Sequence, residues 1–185
     1  MGFDVSFHPI SPAEMDMWYF TPLEWVRQGQ KDKVLDLAEQ YGMEAFYAQK
    51  YLSVLQAGAA VEEQELFDKS HGFYIAVIQG FFRDYYYTRG SAFSFLVEQK
   101  PEYARYFTSW EQITPVSFQN PMQNRIIENY CSGVYLSPDQ VIQLLKDMEQ
   151  DPKVLEDLEG LWSNGQIAVL KKALSAAAKS GVGLL

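Results

Sequence analysis

A single cysteine, Cys131, is the scarcest side chain here, and its solitude excludes any intramolecular disulfide. A thiol flanked by Tyr130 and Ser132, with no base or positive field in view, reads as a small buried hydrophobe rather than a nucleophile. Such sparing use of cysteine fits a reducing compartment, and the expected location is the cytoplasm. Histidine is nearly as scarce, with His8 and His71 making up the whole supply. Neither stands in a ligand spacing such as H-x-x-x-H or H-E-x-x-H, so no metal and no cofactor is expected. The phosphate cradles G-x-G-x-x-G and G-x-x-x-x-G-K-[ST] are missing, as is the nucleophile elbow G-x-S-x-G. Internal repeats and low-complexity tracts are missing as well. Lys69 and Arg83 fence the longest apolar run of the aromatic block to 13 residues, against the roughly 20 a spanning helix needs. Met1-Gly2-Phe3-Asp4 has neither a basic n-region nor an apolar h-region, so neither a cleaved signal nor membrane partnership is expected.

Positive charge is in deficit. Fifteen Lys and Arg face 24 Asp and Glu, a net charge of −9, which argues against nucleic acid or an anionic membrane as the main partner. Tyr85, Tyr86 and Tyr87 beside Arg83 and Arg89 invite a base-stacking reading. Yet Phe73 to Glu111 carries as many acids as bases, so the electrostatic funnel such binding needs is missing. Between Ser137 and Gly160 the imbalance sharpens: Asp139, Asp147, Glu149, Asp151, Glu156, Asp157 and Glu159 face only Lys146 and Lys153. The simple account is a solvated helix face. The functional one is a docking surface for a basic protein, with Asp139, Asp147, Glu149, Glu156, Asp157 and Glu159 as its charges.

What the chain has in plenty is rings. Thirteen of its 28 aromatic residues fall between Phe73 and Trp110, a density that predicts a buried core. A helix over about Gly72 to Thr88 is expected at its centre, because Val77, Phe81, Tyr74, Tyr85, Ile78, Phe82, Ile75 and Tyr86 share half its circumference.

Proline supplies the punctuation. Ser11-Pro12, Thr21-Pro22, Asn120-Pro121, Ser137-Pro138 and Asp151-Pro152 each place a capping side chain before a proline. A cap accepts an orphan helix N–H, and proline at the first position loses a bond the helix never had. Glu14, Glu24, Gln123 and Gln140 would complete capping boxes. Before the first cap, Phe3, Val5 and Phe7 alternate with Asp4, Ser6 and His8, the period of a half-buried strand. Met1-Gly2-x-x-x-Ser6 also fits the myristoylation template, although these strand residues look committed to the fold and one acyl chain anchors weakly without a basic patch.

Further helices are expected from Pro22 to near Gly29, over Val34–Tyr41 with Gly42 as its stop, and over 43–57 with Tyr47, Tyr51, Val54 and Leu55 as its stripe. Others are expected over 62–69, 93–99, 102–107 and from Pro121. Trp110 to Asn120 reads as loop or irregular strand, and Val134-Tyr135-Leu136 as a short strand. Three regular stripes close the chain: Val141, Leu144, Leu145, Met148; then Val154, Leu155, Leu158, Leu161; then Ile167, Leu170, Leu174, Ala177. The expectation is a mainly α, compact, multi-helix single domain spanning 1–185, with an N-terminal strand and at most a minor sheet, α+β at the margin.

Asp4, Ser6 and His8 hold one of each member of a hydrolase triad, but alternate strand residues stand about 6.6–7 Å apart. A triad needs the histidine between serine and acid within hydrogen-bond reach. Solvent-facing strand positions are the simpler reading. The functional expectation is a cytoplasmic acidic protein-binding module, in its concrete form an immunity-type neutraliser of a basic protein. The alternative is an enzyme or small-ligand binder assembled from His8, His71, Arg83, Asp84, Tyr87 and Arg89. A homodimer formed through exposed Trp or Tyr is a third class.

Overall fold

The computed structural model describes residues 3–60, 85–90, 94–113, 116 and 135–185. The fold is mainly α-helical with, among the described residues, two small two-stranded antiparallel sheets. Among the described residues no helix is long and apolar enough to cross a membrane. Backbone contacts divide the chain into two compact units, one of Met1–Ser11, Asp84–Ile113 and Ser132–Leu185, the other of Pro12–Arg83 and Thr114–Cys131.

In the second of these, α1 (Pro12–Met15) runs into a π-turn (Asp16–Phe20) and then α2 (Thr21–Arg27) without a break. The expected cap at Thr21 does not form: Phe20 and Thr21 are both right-handed helical, and the Thr21 N–H bonds the Asp16 carbonyl, five residues back. The physical reason lies in Pro22, which has no N–H and whose ring crowds the carbonyl four residues earlier. Widening the ladder by one residue accommodates it. The carbonyl in question belongs to Trp18, and the Tyr51 hydroxyl donates to it. Glu24, expected in a capping box, instead pairs with Arg27 at 2.6 Å.

Next come α3 (Lys31–Gln40) and α4 (Ala45–Ala60), packed on each other and on α2. Gly42 adopts φ 73°, and the Met43 N–H reaches back to the Ala38 carbonyl at 2.9 Å, the bond that ends a helix at a left-handed residue. The buried stripe of α4 is Ala48, Tyr51, Leu52 and Leu55. Tyr47, expected on it, is exposed, and the helix continues past Gly58.

In the other unit β1 (Phe3–Phe7) pairs antiparallel with β3 (Tyr86–Gly90), Phe3 opposite Gly90 and Phe7 opposite Tyr86. The strand at β1 was legible. The one at β3 corrects the helix expected to reach Thr88. Tyr85, Tyr87 and Arg89 are exposed while Tyr86 and Thr88 are half-buried, so the period is two, and cross-strand pairing overrides the helical wheel. Tyr85 is therefore no part of a buried aromatic core. The rest of the expected central helix lies outside the described residues. So do the helices expected over 62–69 and from Pro121, the Asn120 cap, and Cys131.

Between β3 and the long helices lie α5 (Ser94–Gln99), a 3-10 helix (Pro101–Tyr106) and α6 (Trp110–Ile113). The last replaces the loop or strand expected there. Then come α7 (Pro138–Gln150), α8 (Pro152–Leu161) and α9 (Asn164–Ser180). Ser137 opens α7 with a full capping box: Gln140 Oε1 accepts the Ser137 N–H at 2.8 Å, and Ser137 Oγ accepts the Gln140 N–H at 3.3 Å. Asp151 Oδ1 caps α8 by accepting the Lys153 N–H at 3.0 Å. The three stripes read from sequence meet as one core: Val141, Leu144, Met148, Val154, Leu158, Ile167, Leu170, Leu174 and Ala177 are all buried. Phe7 joins it, edge-on to Trp162 at 5.9 Å.

The last strand, β4 (Gly183–Leu184), follows Gly181 (φ 67°) and runs antiparallel to β2 (Pro9–Ile10). On its other side Leu184 exchanges both backbone bonds with Leu136, at 2.8 and 2.9 Å. The apolar tail is thus an inner strand.

Candidate functional site

The densest polar constellation among the described residues is built on the 3-10 helix. Proline at 101 starts it, and a three-residue repeat puts Tyr103 and Tyr106 on one face, rings 5.8 Å apart. That face lies against α7. Tyr103 donates to Asp157 Oδ2 at 2.8 Å, and the other oxygen of Asp157 is paired with Lys100. Tyr106 donates to Asp147 Oδ2 at 2.6 Å and accepts from the Arg105 guanidinium at 2.8 Å. Gln143 Nε2 holds the second oxygen of Asp147 at 2.7 Å. Gln140, already in the capping box, also donates to the Arg105 carbonyl at 3.2 Å.

Burial pushes the Tyr103 hydroxyl far above its usual range, and its bond to Asp157 adds to the effect. Burial, then the bond to Asp147, pushes Tyr106 up to about 12. The Lys100 ammonium beside Asp157 holds that carboxyl below the usual carboxylate range, with Tyr103 helping. At neutral pH both tyrosines stay protonated and Asp157 stays ionised. A general acid or base works best with its pKa near the operating pH, so these three are placed to fix geometry. The constellation bolts the 3-10 helix to α7 and α8.

This corrects the partner-binding set. Asp157, its side chain 8% exposed, and Asp147, half-buried, already have bonds within the chain, to Lys100 and Tyr103 and to Tyr106 and Gln143. Asp139, Glu149, Glu156 and Glu159 are exposed, as is Asp151. The bolt has a sequence signal of its own, two tyrosines three apart that begin one residue after the Lys100-Pro101 pair.

Of the candidate ligand set, His8, Tyr87 and Arg89 are among the described residues. His8 is buried, not solvent-facing, with its ring stacked on Tyr85 at 5.4 Å. Tyr87 and Arg89 stand on the exposed side of β3, opposite Ser6 and Asp4. His71, Arg83 and Asp84 lie outside the described residues. Among the described residues no three His, Cys, Asp or Glu side chains gather as a metal site would require. Comparison with protein-family models, with curated proteins and with solved structures finds no match to this chain.

Proposed function

We propose that this chain is an acidic protein-binding module that docks a basic protein through α7 and α8. One observation carries the reading: apart from Asp147 and Asp157, tied to the 3-10 helix, and Asp151, which caps α8, four exposed acids remain on these helices, Asp139, Glu149, Glu156 and Glu159, beside the exposed Lys146 and Lys153. Asp139, Ile142, Lys146 and Glu149 share one face of α7 by helical spacing, and Ile142 is 56% exposed. An apolar side chain rimmed by carboxylates has the build of an interface centre with a polar border. Helices bolted together by the buried core present those charges in fixed positions, which favours fast, steered encounter. A neutraliser of the immunity type, covering a basic protein, is the concrete form of the proposal.

The test is capture on the immobilised chain from extracts of its source cells, with association rates measured at about 50 and 300 mM salt. The expected result is a basic protein whose association slows about tenfold or more over that range. Capture should be lost with Asp139→Asn, Glu149→Gln, Glu156→Gln and Glu159→Gln combined. Salt-insensitive association, or equal capture by the neutralised variant, refutes the proposal. The enzyme or small-ligand alternative rests on His8, His71, Arg83, Asp84, Tyr87 and Arg89, of which His71, Arg83 and Asp84 lie outside the described residues.

A further inference from the structure

The geometry points to a peptide slot between the His8–Ile10 and Tyr135–Leu136 segments, filled in this structure by the chain's own Gly183–Leu185. Its ligand class is an extended peptide of glycine followed by two branched apolar residues.

Both walls of the slot bond their occupant through main chain. On one side the His8 N–H donates to the Leu185 carbonyl at 2.9 Å and the Leu185 N–H donates to the His8 carbonyl at 3.0 Å. On the other, Leu136 and Leu184 make the reciprocal pair. Strand addition at a sheet edge derives affinity from such bonds and specificity from alternate side-chain pockets. Here the occupant is held along two edges.

The walls also hold each other. Tyr135 is buried and its hydroxyl donates to the Ile10 carbonyl at 3.2 Å. The Tyr135 backbone carbonyl in turn accepts the Thr108 N–H at 2.7 Å. None of these bonds uses the occupant. The occupant is joined to α9 through Val182: the helix ends at Gly181, where the Val182 N–H closes the last turn on the Ala177 carbonyl at 3.1 Å, and the strand starts one residue later.

Selectivity follows from shape. Ile10 is opposite Gly183, so the Tyr135 side chain crosses the strand there to reach the Ile10 carbonyl. A Cβ on residue 183 would overlap the Tyr135 ring and hydroxyl and the Leu136 carbonyl. Backbone and a buried, bonded ring cannot yield as a flexible chain end can, so only glycine fits. Leu184 and Leu185 are both buried, Leu184 within the core of this unit, which sets the demand for two apolar residues.

The experiment uses the full chain carrying Gly183→Ala, whose added methyl expels the resident strand and lowers the melting temperature. N-acetyl-Val-Gly-Leu-Leu is then titrated in. The expected result is a saturable recovery of about half or more of the lost melting temperature. N-acetyl-Val-Ala-Leu-Leu should give none, and the unsubstituted chain, its slot filled, should not respond to either peptide. If the variant does not fold by itself, the glycine peptide must restore its far-ultraviolet circular dichroism. No recovery with the glycine peptide, equal recovery with the alanine peptide, or an undiminished melting temperature in the variant overturns the inference.

Discussion

Replacing Tyr51 by phenylalanine removes one oxygen atom from the interior of the helical unit built on α1–α4. Tyr51 is fully buried, and burial holds its hydroxyl protonated far past the ordinary tyrosine range. That hydroxyl serves the Trp18 carbonyl, which Pro22 cannot serve because it has no N–H. A neutral hydrogen bond contributes a net 0.5–1.5 kcal/mol, roughly, and a buried carbonyl deprived of its donor costs about 1–3 kcal/mol. We expect Tyr51→Phe to cost about 2 kcal/mol, or about 4–8 °C in melting temperature for a chain of this length. Urea and thermal unfolding followed by circular dichroism will measure it. The argument has a sharper consequence: Pro22→Ala supplies an N–H four residues from Trp18, so Tyr51→Phe should cost less in that background. A double-mutant cycle should then show coupling of about 1 kcal/mol. A cost under about 0.5 kcal/mol, or additive effects of the two substitutions, would falsify this account of the π-turn.

Other outcomes are expected from the same geometry. Asp157→Ala strips the buried Tyr103 hydroxyl of its acceptor and Lys100 of its partner, and should cost about 2–3 kcal/mol by chemical denaturation. Because the folded-state pKa of Asp157 is depressed, its contribution is present above the usual carboxylate range and is lost as pH falls through the lower folded value. Acid unfolding should therefore steepen below about pH 4 in the native chain and less so in Asp157→Ala. Tyr106 works in the opposite direction. Its pKa rises from 10.0 to about 12 on folding, so its contribution is complete below pH 10 and declines as pH rises from there toward 12. Tyrosinate absorbance should appear together with unfolding in that window, and its full appearance before unfolding would contradict the buried bond. Lastly, Ser137→Ala removes the side-chain half of the capping box on α7 and should cost about 1 kcal/mol.

The long helices α7, α8 and α9 were readable because each carries its whole signal locally, as cap, stripe and stop within one segment. The strand β3 was not. Tyr85–Thr88 fits a helical wheel as well as a strand, and what decides between them is β1, some eighty residues earlier in the chain. Thr21-Pro22 has every mark of a helix start, yet the helix passes through it because Tyr51, from another helix, answers the carbonyl that proline leaves. The four-residue α6 escaped notice because Ile113, Thr114, Pro115 and Val116 weigh toward extended chain. Charge was the most deceptive signal. Asp147 and Asp157 each precede a buried stripe residue, Met148 and Leu158, and so sit at the margin of the apolar face, where a neighbouring element can claim them. Counting acids along the sequence cannot show which of them are already taken.

Leu184 and Pro9 are partners separated by 175 positions, and this has a bearing on synthesis. At about 5–20 residues per second on the ribosome, the opening segment emerges roughly 9–35 s before its counterpart exists. Through that interval Ile10 is denied the strand beside it. Formation of this pair must therefore wait for the whole of the intervening chain, which places it among the late steps of folding.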